Sequence, residues 1–187
     1  MKNLVSLSKN WVITLQQNKY FNNSLVHSFC ASWLIALGAY ITVPFYPVPM
    51  TMQTFVIALW ALCTPWPTAI SAVLLYLGYA LVGLPVLAGG TGGILVCLGP
   101  SLGYLLGFIL MSGTIALLIQ QYQPKGVMMH FIFTLIGGLL LFATGLSRLA
   151  HLFSWEIAFK TGLLPFIFSE PTKFALAAYL ASWIRRQ

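Results

Sequence analysis

Two of the few charged residues in this sequence stand three positions apart, where they share one face of a predicted helix. Glu170 and Lys173 flank Pro171, and proline suits the first turn of a helix, so we expect a helix to begin at about Glu170. Arg185 marks the expected membrane boundary at the other end of that helix. At 1.5 Å per residue, Glu170 lies only ~22 Å from this boundary, whereas the hydrocarbon core is ~30 Å thick. Both charges are therefore predicted to lie inside the membrane.

A buried pair of this kind is either a structural ion pair or part of a ligand site. An unpaired charge at such depth costs several kcal/mol, so the two residues must be paired or face water. Residues 162–169 must complete the crossing, and Pro165 interrupts them. Because irregular backbone at membrane depth is tolerated mainly where it lines a cavity, the sequence favours a ligand site.

The composition requires a membrane environment. Hydrophobic residues make up 59% of the 187 residues, charged residues only 6%, and residues 20–124 contain no formal charge. A soluble domain carries about a quarter charged residues, so a water-soluble fold is excluded, and the apolar content excludes disorder. The net charge of +7 comes from basic residues scattered at the ends of apolar runs, which does not fit nucleic-acid binding.

The apolar runs and their breaks predict an all-α integral membrane protein with six transmembrane helices. A transmembrane helix needs about 20 apolar residues, and prolines or polar turns separate the runs. The predicted spans are residues 24–43, 50–63, 68–82, 100–119 and 127–146, with a sixth that ends at residue 183. Residues 24–187 are predicted to form a single transmembrane domain. Residues 1–23 are predicted to be a cytoplasmic segment, either an amphipathic helix on the membrane surface or a poorly ordered tail.

The basic residues predict the orientation of these spans. Because positive residues concentrate in cytoplasmic loops, the side that carries more of them is expected to be cytoplasmic. Six fall on the side of the two termini: Lys2, Lys9, Lys19, Lys125, Arg185 and Arg186. Three fall toward the other side: Arg148, Lys160 and Lys173. Both termini are therefore predicted to be cytoplasmic, and residues 83–99 extracytoplasmic.

Further polar and glycine-rich positions could contact a ligand. The amide of Gln53 offers both donors and an acceptor, and it fits either helix packing or ligand contact. The run Gly89-Gly90-Thr91-Gly92-Gly93 would let backbone approach a ligand closely. No Gly-Lys-Ser/Thr follows it, so it is not a nucleotide-binding P-loop. A separate recurrence of glycine every four residues, at positions 99, 103 and 107, predicts a surface for close helix packing on the fourth span.

Neither metal chemistry nor catalysis is indicated. The three histidines, at positions 27, 130 and 151, share no metal-ligand spacing, and Cys30, Cys63 and Cys97 sit singly in apolar runs. Ser147 and His151 stand four apart, but no supporting acid or oxyanion motif accompanies them. We therefore expect no catalytic residues, no metal and no cofactor.

Several short motifs follow one another in a fixed order, and Lys173 closes the series. The motifs are PVPMTMQT at 47–54, LYLG at 75–78, GLPV at 83–86, AGGTGG at 88–93, GP at 99–100, GYL at 103–105, GF at 107–108 and GLLPF at 162–166. This series resembles the BioY family, the biotin-binding membrane subunits of energy-coupling factor (ECF) transporters. The resemblance covers about residues 24–184.

The resemblance implies a function and the residues that perform it. It implies capture of biotin outside a bacterial cytoplasmic membrane and uptake together with a transmembrane coupling protein and two ATPases. In the family, the acidic and basic residues that open the last helix contribute to the biotin site, and they map onto Glu170 and Lys173. With further positions from the quoted motifs, the predicted biotin-binding residues are Gln53, Tyr76, Gly89, Gly90, Thr91, Gly92, Gly93, Glu170 and Lys173. Family members more often have Gly-Asp where this chain has Ser169-Glu170, and they often carry Ala-x-x-x-Ala in the first helix for docking the coupling protein. Here that docking pattern maps onto Ser32 and Ala36.

Two alternatives to biotin uptake remain open from the sequence. One is a subunit of the same transporter type that binds another small vitamin. The other is an intramembrane enzyme, for which only Glu170 and Lys173 would be available. Binding to a panel of vitamins and turnover of a candidate substrate would separate the three.

Overall fold

Six of the helices observed in the structure correspond to the six predicted spans. The computed structural model describes residues 24–186, so the predicted N-terminal segment 1–23 lies outside the described residues. Within that range the α-helices are α1 (Ser24–Tyr40), α2 (Gln53–Cys63), α3 (Trp66–Leu81), α4 (Ile94–Cys97), α5 (Leu102–Tyr122), α6 (Val127–Leu152), α7 (Trp155–Gly162) and α8 (Ser169–Ile184). The short helices α4 and α7 lie between spans.

The helices differ in how far they could reach across a bilayer. In the described part of the chain, α5 and α6 are each long and apolar enough to cross alone, whereas α1, α2 and α3 are shorter apolar helices. Helix α2 has only 11 residues, which corresponds to ~16 Å of helix. Helix α2 alone is therefore too short to cross a hydrocarbon core of ~30 Å.

An extended hairpin leads the chain into α2. Strand β1 (Thr42–Val43) pairs antiparallel with β2 (Met50–Thr51), with Thr42 opposite Thr51. Prolines at positions 44, 47 and 49 lie between or beside these strands, and proline neither continues a helix nor donates a backbone hydrogen bond. The hairpin thus ends α1 and folds back toward the bundle interior, which carries Thr51 and Gln53 inward.

The region between the fifth and sixth spans differs from the prediction. Helix α6 continues to Leu152 instead of ending at residue 146, and α7 was not predicted. Arg148 does not end α6, because its guanidinium turns back to the Leu98 carbonyl, with Nη2 2.6 Å from the oxygen. Helix α7 begins at a polar cap, where the Ser154 hydroxyl accepts the Ile157 amide at 3.3 Å.

Helices α5 and α6 pack with their backbones close together. A Cβ atom on Gly103 would lie 2.3 Å from the Thr144 carbonyl oxygen, and one on Gly107 would lie 2.9 Å from Leu141 Cα. The predicted glycine surface is confirmed for these two residues. It is wrong for Gly99, which precedes α5 and donates its amide to the Val96 carbonyl at 3.1 Å in a turn.

The remaining contacts form one apolar core. Helix α2 packs against α8, α1 against α3, and α6 against α8. The largest fully buried side chains include Tyr76, Phe174, Ile35, Ile57, Leu62 and Met111. At the end of α8, the Arg185 guanidinium donates to the Leu62 carbonyl at 2.8 Å, which satisfies one of the free carbonyls at the end of α2.

Replacing Gly103 by alanine should destabilise the protein, because the new methyl group would collide with backbone of α6 rather than with a flexible side chain. Overpacking of this kind typically costs about 1–3 kcal/mol. The matched control is Gly78→Ala in the interior of α3, where a Cβ atom meets nothing within 4 Å. Thermal unfolding in detergent should show a lower Tm for Gly103→Ala and an unchanged or higher Tm for Gly78→Ala. Equal Tm values for both variants would contradict the close packing of α5 on α6.

Candidate ligand-binding site

A cavity lies where the hairpin, the glycine-rich segment and helices α2, α5, α6 and α8 meet. It consists of two adjoining pockets, of about 190 Å³ and about 40 Å³. Both are lined by Val48, Thr51, Tyr104 and Phe108. We call the larger one the outer pocket and the smaller one, which Glu170 lines, the inner pocket.

Aromatic side chains form the walls of the inner pocket. Tyr104 stacks on Phe166 with ring centroids 6.4 Å apart, and Phe142 meets Phe166 edge-on at 5.9 Å. The Tyr104 hydroxyl donates to the Gly162 carbonyl at 2.8 Å, which fixes the ring and ties the end of α7 to α5. Flat aromatic walls with few polar groups suit a compact, largely apolar ring.

The Lys173 ammonium is fully engaged by the protein. It donates to the Thr51 carbonyl at 2.7 Å, to the Thr54 hydroxyl at 3.1 Å and to the Glu170 carboxylate. An ammonium group has three donors, and these contacts use all of them. Lys173 therefore joins α8 to the start of α2 and holds the Glu170 carboxylate in place.

Glu170 lines the inner pocket and retains a free acceptor. The residue is only 2% exposed, and its Oε1 atom takes the bond from Lys173. Its Oε2 atom is buried and has no hydrogen-bond partner in the part of the chain that the structure describes. Buried polar atoms nearly always have a partner. This carboxylate oxygen is accordingly suited to accept an N–H group from a ligand.

Gln53 and Tyr76 form a hydrogen-bonded pair behind the outer pocket. The Gln53 amide nitrogen donates to the Tyr76 hydroxyl, and the Gln53 carbonyl oxygen accepts from the Thr51 hydroxyl at 3.0 Å. Gln53 lines the outer pocket, whereas Tyr76 is fully buried and is not among the lining residues. Gln53 is thus placed for ligand contact and Tyr76 is placed to orient Gln53.

The glycine-rich segment contributes a wall mainly through its non-glycine residues. Ala88 and Thr91 line the outer pocket. A Cβ atom on Gly92 would lie 2.1 Å from the Leu84 carbonyl oxygen, so glycine is required there for the segment to fold back on itself. Gly89, Gly90 and Gly93 adopt positive φ angles and are not among the residues that line either pocket. Their contact with a ligand stays a prediction.

The two predicted docking residues face the interior of the bundle. Ser32 and Ala36 are buried, at 0% and 2% exposure, on the helix α1 that packs on α3. The Ser32 hydroxyl donates to the Phe29 carbonyl at 2.6 Å, and the Tyr79 hydroxyl lies 3.5 Å away. Docking through these two residues stays a prediction, and in this arrangement they would be reached only if α1 separated from α3.

The sequence analysis missed most of the aromatic wall as ligand-contacting residues. Tyr104 and Phe108 are four apart on α5 and Phe166 follows Pro165, so the motifs GYL, GF and GLLPF contained them. Phe142 lies in a uniformly apolar stretch that carries no local signal. Of the Ser147 and His151 pair that was weighed as a hydrolase, the Ser147 hydroxyl donates to the Ala143 carbonyl at 2.7 Å.

The six-helix arrangement around this cavity matches the fold of a solved membrane protein. A solved structure described as the S-component for biotin from an ECF-type ABC transporter superposes with a TM-score of 0.81. The match covers 91% of this chain and 95% of that chain at 24% identity, and it shows that the two share a fold.

The particular family follows from the sequence comparisons. The BioY family model matches residues 10–187, and the chain belongs to that family. The biotin transporter BioY2 of Lactococcus lactis subsp. cremoris is 34% identical over 161 residues, which cover 85% of this chain and 87% of the relative. The biotin transporter BioY of Thermotoga maritima is 33% identical over 155 residues, which cover 82% and 90%. The protein is therefore a multi-pass membrane protein of the BioY family.

Removing Lys173 alone should destabilise the protein more than removing the whole pair. Lys173→Met leaves the Glu170 carboxylate buried without its partner, and breaking a buried pair in this way costs about 3–5 kcal/mol. Lys173→Met combined with Glu170→Met replaces both charges by apolar side chains of similar length. Thermal unfolding should show a smaller loss of Tm for the double variant than for Lys173→Met alone, and therefore a smaller loss than the sum of the two single variants. Additive losses would show that the two residues stabilise the protein independently.

Proposed function

We propose that this protein is the biotin-binding subunit of an uptake transporter. Its sequence relatives are named biotin transporters, and its structural relative is described as the S-component for biotin. The observation that carries the proposal is Glu170, which lines an aromatic-walled pocket and whose buried Oε2 acceptor has no partner among the described residues.

The cavity supplies the chemistry that biotin requires. Biotin combines a fused apolar ring system, a ureido group with two N–H donors and a carbonyl acceptor, and an apolar chain that ends in a carboxylate. The inner pocket offers aromatic walls for the rings, and Glu170 accepts a ureido N–H. The amide of Gln53 and the hydroxyl of Thr91 line the outer pocket, where they are available to polar atoms of the ligand.

The sequence suggested that Lys173 contacts the ligand directly, and we propose a different role for it. Because its donors are taken by Thr51, Thr54 and Glu170, we assign it as a positioning residue. It fixes the Glu170 carboxylate and holds the hairpin end against α8. The ureido group then meets a carboxylate whose orientation is set before the ligand arrives, which lowers the entropic cost of binding.

Energy for uptake comes from partner proteins in this proposal. The sequence contains no nucleotide-binding P-loop motif, and the structural relative belongs to an ECF-type ABC transporter. We infer a complex with a transmembrane coupling protein and two ATPases, with α1 as the docking helix. We further propose that both termini are cytoplasmic and that residues 83–99 face outward at the bacterial cytoplasmic membrane, supported by the six-to-three distribution of basic residues.

Glu170→Gln should weaken biotin binding by about 10- to 150-fold, because a hydrogen bond to a charged group contributes roughly 1.5–3 kcal/mol. Glutamine keeps the volume of the side chain and can still accept a bond from Lys173. The matched control is Glu156→Gln, whose carboxylate is exposed on α7 and paired with Lys160, and its affinity should equal that of the wild type.

Isothermal titration calorimetry on the purified subunit measures these affinities. Wild-type affinity in Glu170→Gln would remove the carboxylate from the ligand contacts. A wild-type protein that binds another vitamin but not biotin would refute the proposed function itself.

A further inference from the structure

Arg148 is a cation near the outer pocket with buried donor capacity. It lies on α6, and its Nη2 atom donates to the Leu98 carbonyl at 2.6 Å. Its Nε atom is buried and has no hydrogen-bond partner. A guanidinium group has five N–H donors, so the single observed bond leaves most of its binding capacity available.

The chain contains no acidic side chain left to pair with Arg148. Only two acidic residues occur in the whole sequence. Glu156 is paired with Lys160 at 2.6 Å on the exposed surface of α7, and Glu170 is paired with Lys173 in the cavity. A half-buried charge without a counter-charge is costly, so the arrangement calls for an anion from outside the chain.

The position of Arg148 connects it to the outer pocket. Leu98, whose carbonyl it contacts, lies in the turn between α4 and α5, and the residues on either side of that turn, Val96 and Ser101, line the outer pocket. At Gly103, the second residue of α5, an added Cβ atom would lie 2.7 Å from Arg148 Cβ. Arg148 therefore packs on the start of α5, and its guanidinium reaches the turn that precedes Ser101. Arg148 is not itself among the residues that line either pocket, so a ligand would meet it beyond Ser101, at the edge of the outer pocket.

We propose that Arg148, together with Ser101, binds the carboxylate of the ligand and so selects the free acid. This inference rests on the proposed function, in which the ring system occupies the inner pocket beside Glu170. The two ends of the ligand are then recognised by opposite charges: Glu170 accepts from the ureido N–H, and Arg148 donates to the carboxylate. A guanidinium suits this role because its planar fork matches a carboxylate with two parallel hydrogen bonds.

The test compares biotin with biotinamide, in which a neutral amide replaces the carboxylate. Titration calorimetry in phosphatidylcholine nanodiscs should show that the wild type prefers biotin by about 10- to 100-fold, the range for a charge-assisted bond. Arg148→Gln should lose this preference because its affinity for biotin falls to that for biotinamide, while its affinity for biotinamide changes by less than about twofold. Arg148→Lys keeps the charge without the fork and should retain part of the preference.

Lys160→Gln is the matched control, because it removes the exposed cation on α7 and should leave the preference intact. An undiminished preference in Arg148→Gln would overturn the inference and leave the proposed function standing. An equal loss of affinity for biotin and for biotinamide in Arg148→Gln would also overturn the inference. It would assign Arg148 to the packing of α4 and α5 or to binding of a lipid phosphate. A biotin affinity of the wild type that differs between phosphatidylcholine and phosphatidylglycerol nanodiscs would identify a lipid phosphate as the group that Arg148 binds. Absence of biotin binding by the wild type would instead refute the proposed function.

Discussion

The three hydrogen bonds of the Lys173 ammonium are the contacts on which the candidate site depends. They join positions 51, 54 and 170, of which the first two are about 120 residues distant along the chain. Glu170 and Lys173 are both buried, and a buried charge left without its partner is costly. Because every donor must find an acceptor there, the hairpin end, the first turn of α2 and the first turn of α8 are held in one arrangement. The Glu170 carboxylate is oriented as a consequence, with Oε1 on Lys173 and Oε2 left without a partner among the described residues.

Several features of the fold follow from bringing these elements together inside a bilayer. Helix α2 is short because the hairpin folds inward before it begins, so Gln53 and Thr54 open the helix near the ends of α5 and α8 that surround the cavity. At the other end of the same pair of helices, Arg185 donates to the Leu62 carbonyl. The two helices are thus joined by polar bonds at both ends, and the glycine positions of α5 let α6 close the remaining side of the cavity.

Local patterns in the sequence predicted the spans and the paired charges, whereas contacts between distant segments were not predictable. The spacing of Glu170 and Lys173 around Pro171 is a helical signal within four residues, and the structure places that helix at Ser169–Ile184. The small residues Ser32 and Ala36 signal close packing, but their spacing does not tell whether the neighbour is α3 or another protein. Likewise, Phe142 is one apolar residue among many until Phe166 and Tyr104 meet it across the fold.

The most direct test of the central claim is an experimental structure of the protein with biotin bound, at a resolution that shows the hydrogen-bonding atoms. We predict a ureido N–H within hydrogen-bonding distance of Glu170 Oε2, the ring system against the aromatic wall formed by Tyr104 and Phe166, and the Lys173 ammonium still bonded to the Thr51 carbonyl. A ligand that lies elsewhere, or a Lys173 side chain that leaves Thr51 to bind the ligand itself, would contradict the claim that Lys173 positions the site and Glu170 contacts the ligand.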